Sequence, residues 1–267
     1  MERIFVTLTP SEGKRLIAKA VASMEPVRAA LKGGTIVICL GTTNAFVLEE
    51  IAGIRVEDKG KFSIGVITGE MTCVSRSKGR MAEAVIREGK LTELAMKDVI
   101  EGLTPQDVVI KGANALDPWG TAGIFLGSPV GGTIGTSIGV LMARGVKVII
   151  PASLEKMVPY AIGEIASRMG NRSYSASMGM PVGMMALNGE VVTEVEAINM
   201  LYGCEALPTG AGGIGGGEGS RCYVIEGNEE DLKAAWAGLS GIKGEGRVTV
   251  RLEECAECRF KCRRGWQ

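Results

Sequence analysis

Short runs of almost wholly apolar residues, each leading into a glycine-bearing turn and a helical pattern, constrain this chain more than any other feature. Residues 35–40 (Thr-Ile-Val-Ile-Cys-Leu) show no polar alternation. A strand buried on both faces needs that pattern, and such strands belong mostly to parallel sheets. Residues 62–67, 107–111 and 146–150 read as further strands, and 3–8 as an opening one. Thr9-Pro10-Ser11-Glu12 supplies a cap residue, a first-turn proline and an acid, predicting a helix from there to about 31, ahead of Gly33-Gly34. Helical patterns at 44–52, 78–88, 91–101, 133–144 and 155–169 alternate with the strands. The expected fold class is α/β: a mainly parallel sheet with helices on both faces, over residues 1–180.

The rhythm changes near 180. A strand at 182–187, a turn at Asn188-Gly189, a helix at 193–202 and an extended piece at 205–208 are followed by a glycine run at 210–219. A strand at 221–226, a helix at 229–239 and a strand at 246–252 complete the order β-α-β-β-α-β, which predicts a smaller ferredoxin-like α+β domain over 181–252. The run at 210–219 contains GxGxxG, but a strand rather than a helix follows it, so it reads as a lid or flexible connection and not a dinucleotide fingerprint. Residues 253–267 form a polar, cysteine-bearing tail.

Segment 118–143 carries no formal charge, yet Pro118, Pro129 and Gly131-Gly132 interrupt it. A buried loop followed by a buried helix is expected there rather than a membrane span. The start, Met1-Glu-Arg-Ile-Phe-Val, shows no secretory pattern, and seven unevenly spaced cysteines do not form a disulfide framework, so a cytoplasmic setting is expected. With 30 basic and 30 acidic side chains, no nucleic-acid partner is expected; a homo-oligomer stays open. Histidine is absent, which excludes Ser-His-Asp and Cys-His arrangements, HExxH zinc sites and any histidine base within the chain.

Three segments carry candidate chemistry. Gly41-Thr42-Thr43-Asn44 follows a buried strand and opens a helix, where free N–H groups and hydroxyls suit phosphate or carboxylate; an ordinary capped turn is the alternative. Gly131-Gly132-Thr133-Ile134-Gly135-Thr136 brings backbone close to either a ligand or a neighbouring helix, and it lacks the lysine of a nucleotide P-loop. Lys111-Gly112-Ala113-Asn114-Ala115-Leu116-Asp117 sits at a strand C-terminus, where open α/β sheets bind ligands. There Lys111 would meet an anion, and Asn114 and Asp117 would hold hydroxyls or move protons. Asp117 as a turn cap before Pro118 is the alternative.

These motifs, in this order, resemble the superfamily of ribose-5-phosphate isomerases, glucosamine-6-phosphate deaminases and CoA transferases. Residues 33–50, through Gly41-Thr42-Thr43-Asn44, resemble the isomerase segment whose turn grips the sugar phosphate. Residues 109–117 are similar to its Gly-Ala-Asp segment, and equally to that of methylthioribose-1-phosphate isomerases and initiation factor 2B subunits. Thr133-Ile134-Gly135-Thr136 with Val146–Ser153 resembles the latter branch. The resemblance implies a phosphorylated or anionic metabolite held by Gly41, Thr42, Thr43, Asn44, Gly112, Gly132, Thr133, Gly135 and Thr136, and isomerisation by proton transfer. Asn114 stands at the family's catalytic aspartate, so the base role would pass to Asp117 or Glu70, with Lys111 assisting. Cys73 only loosely matches the cysteine of the methylthioribose-phosphate enzymes. The rival expectation is a non-catalytic metabolite- or redox-sensing protein.

Cys255, Cys258 and Cys262 give CxxCxxxC among Lys261, Arg263 and Arg264. Thiolates at that spacing converge on zinc or an iron–sulfur cluster, between which the sequence does not choose. Cys222, Cys204 or an exchangeable ligand would take the fourth place, and a solvated tail with three reactive thiols is the alternative reading.

Overall fold

The computed structural model describes residues 2–260 and 262. The chain opens with β1 (Glu2–Leu8), α1 (Pro10–Ser23), α2 (Glu25–Gly33), β2 (Thr35–Ile38) and α3 (Thr42–Ala52). Two hairpins follow, β3 (Gly65–Ile67) with β4 (Thr72–Val74) and β5 (Ala84–Arg87) with β6 (Lys90–Thr92), then α4 (Met96–Val99). The middle holds β7 (Val108–Ile110), β8 (Ala115–Leu116), β9 (Ala122–Leu126), α5 (Gly132–Ala143), β10 (Lys147–Pro151) and α6 (Ile162–Ser167). The last third is β11 (Gly183–Leu187), β12 (Glu190–Val192), α7 (Glu194–Tyr202), β13 (Glu205–Gly212), β14 (Ser220–Gly227) and α8 (Glu229–Ser240).

The fold is mixed α/β, built on a six-stranded mixed sheet in the order β12-β10-β7-β2-β5-β6. The first four strands are mutually parallel; β5 and β6 run antiparallel. One face, carrying Ile36, Ile38, Ile86, Val108, Ile110 and Ile149, lies in a core shared with α1, α2, α3 and α7, and α8 joins that core through α7, β1 and β14. The other, carrying Val37, Val85, Val109, Val148 and Ile150, packs on α4, α5 and the β8–β9 hairpin. Each such side chain contributes roughly 1.5–3 kcal/mol of burial, which explains why these short runs are apolar throughout.

Local chemistry sets several boundaries. The Thr9 hydroxyl accepts from Glu12 N–H at 3.3 Å while the Glu12 carboxylate accepts from Thr9 N–H at 2.8 Å, closing a capping box on α1. The single helix predicted to about residue 31 is instead two. Met24 is extended (φ −61°, ψ 138°), because Pro26 inside a continuous helix would clash with the preceding turn and leave a carbonyl unpaired. The helix predicted over 155–169 is likewise interrupted at Pro159, leaving a single 3₁₀ turn at Leu154–Lys156 and the short α6.

Other differences come from pairing over distance. Residues 78–88, predicted helical, contain β5: Ala84, Val85 and Ile86 are buried against β2, and Glu88 and Gly89, both at positive φ, form the tight turn into β6. Of 91–101 only α4 and one 3₁₀ turn are helical, and of 62–67 only Gly65–Ile67 is strand, outside the main sheet. Part of the uncharged segment is strand β9. Among the described residues no helix is long and apolar enough to cross a membrane.

The ferredoxin-like order is not what forms. β11 pairs with β9 and β12 with β10, so pairing crosses the expected boundary at 180/181. The third sheet is β1-β14-β13: the N-terminal strand joins it, and neither β11 nor residues 246–252 do. β1 offers seven consecutive antiparallel pairs to β14, Glu2↔Gly227 through Leu8↔Arg221, and turns Ile4, Val6 and Leu8 inward. Residues 246–252 instead cross the chain at Gly60, where a Cβ would overlap the Thr249 carbonyl, and reach β4 through a single Ser75–Leu252 bridge.

Candidate functional site

The parallel strands β2, β7, β10 and β12 all end at one edge of the sheet, so the segments leaving them gather there. From β2 comes Gly41, the N-cap of α3, whose N–H donates to the Phe62 carbonyl at 2.7 Å. No side chain caps α3, so its first-turn N–H groups and positive dipole end remain on offer. Thr43 and Asn44 are buried within that turn. Asn44 Nδ2 donates to Cys39 O at 2.7 Å and Ile110 O at 3.2 Å, tying β2 to β7 where they separate. Among the described residues Asn44 Oδ1 and Thr43 Oγ1 meet no hydrogen-bond partner. Gly112 is adjacent: a Cβ there would sit 3.6 Å from Asn44 Oδ1.

Two half-buried lysines face this region. Lys111, leaving β7, donates from Nζ to Gly112 O at 3.2 Å, and Lys156, in the turn after β10, donates to Ala113 O at 2.7 Å. Burial holds Lys111 below the ordinary lysine range. Lys156 is brought down to about 8 by burial, with the Lys14 and Lys111 charges adding to it and Glu155 and Glu194 opposing. Lys14, buried on α1, pairs with Glu155 at 2.7 Å. Glu194, buried in the first turn of α7, accepts from Leu154 N–H at 2.9 Å; burial outweighs that bond and raises its carboxyl. Behind it lies Tyr223, fully buried, its hydroxyl pushed upward by burial and by the Glu194 charge. Cys39 is core: burial pushes its thiol up to about 12, with Lys111 opposing.

Of the predicted residues, the fold gathers Gly41, Thr42, Thr43, Asn44, Lys111 and Gly112. Asp117 serves as a turn cap. Its Oδ1 accepts from Trp119 N–H at 3.0 Å and Thr121 N–H at 2.8 Å, and its Oδ2 from Ile162 N–H at 3.0 Å. Burial acts to raise this carboxyl, but those N–H groups prevail and hold it below the usual range. Asn114 Oδ1 accepts from Phe125 N–H at 2.9 Å, joining β8 to β9. Glu70 is exposed at the tip of the β3–β4 hairpin, in a separate sheet.

At the start of α5 the glycines serve the turn itself. Gly131 adopts φ 76°, and a Cβ on Gly135 would lie 2.9 Å from Val130 O. Gly132 and Thr133 offer their carbonyls to the Thr136 hydroxyl at 3.1 and 3.0 Å. Two open grooves, of about 460 and 490 Å³, lie elsewhere beside Arg15 and Glu50, whose charges are already paired.

Cys258 and Cys262 pack against Val74, Met180 and Val182, while Cys255 is exposed. Cys222 lies on β14 with its Sγ 3.2 Å from Thr7 Oγ1, and buried Cys204 donates to Tyr202 O at 3.6 Å. Among the described residues no three Cys, Asp or Glu side chains are grouped to hold a metal. Lys261, Arg263 and Arg264 lie outside the described residues.

Sequence reasoning missed Lys14, Glu155, Lys156 and Glu194. The available signal was Pro151-Ala152-Ser153 directly after a buried strand, which places the next residues at the ligand edge. The chain matches no family model, no curated protein and no solved structure in the comparisons made with each.

Proposed function

We propose that this chain binds a small phosphorylated or otherwise anionic metabolite at the edge where β2, β7 and β10 end. The observation that carries the reading is Lys111 with Lys156: both amines are drawn out of water, and among the described residues neither is in an ion pair. A bound anion would offset the cost of keeping both charged. The uncapped start of α3 adds N–H donors and about half a positive charge to the same edge. The orphan Thr43 hydroxyl gives a further donor.

For turnover of the isomerase type, the proton-moving groups would be Lys156 and Glu194, since Asp117 and Asn114 are committed to backbone N–H groups. That commitment equally favours a second reading, a sensor that binds without chemistry. Calorimetric titration with inorganic phosphate and with ribose 5-phosphate tests the binding. Saturable binding is expected, weakened about tenfold or more in Lys111→Met, in keeping with loss of a charge-assisted contact of roughly 1.5–3 kcal/mol. Absence of saturable binding, or equal affinity in the variant, overturns the reading.

A further inference from the structure

We infer that Lys156 is a nucleophilic amine which forms an imine with an aldehyde or ketone carried by the anionic ligand. The inference rests on the anion-binding reading above and deepens it by naming the reacting group of the substrate class.

The geometry carries it. Lys156 ends a 3₁₀ turn whose start is fixed by Ser153, the Oγ of which accepts from Glu155 N–H at 3.3 Å. Its Nζ reaches back across the strand edge to Ala113 O at 2.7 Å, the segment that continues from Lys111 and Gly112. One N–H is thereby spent on a neutral carbonyl, and a neutral amine so held keeps its lone pair for an electrophile. The charged groups facing it come from every element around it. Lys14 on α1 and Lys111 after β7 oppose its protonation, while Glu155 beside it and Glu194 on α7 favour it. Of the two carboxylates, Glu155 is already paired with Lys14, and burial biases Glu194 toward its neutral form. A desolvated lysine next to a second cation is the setting in which an amine becomes nucleophilic near neutrality.

The step balances without oxidant or reductant. The amine nitrogen adds to the carbonyl carbon, giving a carbinolamine. The carbonyl oxygen then leaves as water with the two amine hydrogens, and the imine nitrogen takes one proton from solvent. The iminium draws electrons from the neighbouring carbon, which is what proton transfer next to a former carbonyl needs.

The test is reductive trapping of the wild-type protein at pH 7 with dihydroxyacetone phosphate and sodium cyanoborohydride, followed by peptide mass mapping. Inorganic phosphate is titrated calorimetrically in parallel. The reduced adduct is expected on Lys156, at least about tenfold above exposed Lys97 and Lys147, because far more of the Lys156 amine is neutral at that pH. Added phosphate should suppress it. Labelling spread over exposed lysines and missing from Lys156, with phosphate still binding, overturns the imine and leaves the binding reading intact. Failure of phosphate to bind overturns the binding reading itself.

Discussion

Asp117 spends both carboxylate oxygens on three backbone N–H groups that join the β8–β9 turn to the start of α6. Asp117→Ala would strand those donors, and a loss of about 3 kcal/mol is expected in urea unfolding at pH 7. Its carboxyl is held below the ordinary 3.8, so its stabilisation is complete above that value and fades as pH falls through the lowered one. The variant should therefore lose part of the wild-type decline in acid. Lys156 has the opposite sign of linkage. Its amine titrates at about 8 folded against 10.5 ordinarily, so between those values the unfolded chain holds the extra proton and stability climbs with pH. Lys156→Met is expected to gain up to about 3 kcal/mol at pH 7 and to flatten that climb, measured by denaturation across pH 7–11. Lys111 and Gly41–Asn44 were legible in the sequence because their position after a buried strand fixes which edge they occupy. Lys156 and Glu194 were not: each falls inside a segment read only as helix, 155–169 and 193–202.

At the level of elements, α1 is joined to α3 and to the segment after α8 through one side chain. Arg15 reaches Glu49 at 2.5 Å, Glu50 at 2.8 Å and Glu245 at 2.8 Å, and stacks over Phe46 at 4.8 Å. Arg15→Met would leave half-enclosed carboxylates short of a partner, although Lys59 still meets Glu49 at 3.0 Å. A loss of about 3 kcal/mol is expected, with faster hydrogen exchange at 242–246, where Gly244 N–H donates to Glu12 at 2.9 Å. Unchanged exchange there would mean that the Glu12 contacts alone hold the segment. Fully buried strands and capped helix starts were the more legible elements. The Thr9 cap announces α1 from a few residues, whereas Ala84–Arg87 looked helical until β2 was there to pair with it.

Across the whole molecule, the longest-range strand pairing is that of β14 with β1, a ladder between Glu2–Leu8 and residues more than two hundred positions later. Removing residues 2–8 would uncover the inner face of β14 and take Ile4, Val6 and Leu8 from the core. A loss of about 4 kcal/mol or more is expected from that area, read by chemical denaturation, and a smaller effect would show that β13 and β14 stand without it. The sequence by itself determined the fold class, the buried parallel strands and the capped helices. Those rest on periodicity and capping within a few residues, and on apolar runs that suit no other environment. Tertiary structure alone decided that β1 rather than the strand at 182–187 flanks β14 in the third sheet, that β5 inserts antiparallel beside β2, and that Lys14, Lys111, Lys156 and Glu194 meet. Strand partners are chosen by the competition among distant segments for one sheet edge, and a group's charge state by what burial places around it, neither of which any local stretch contains.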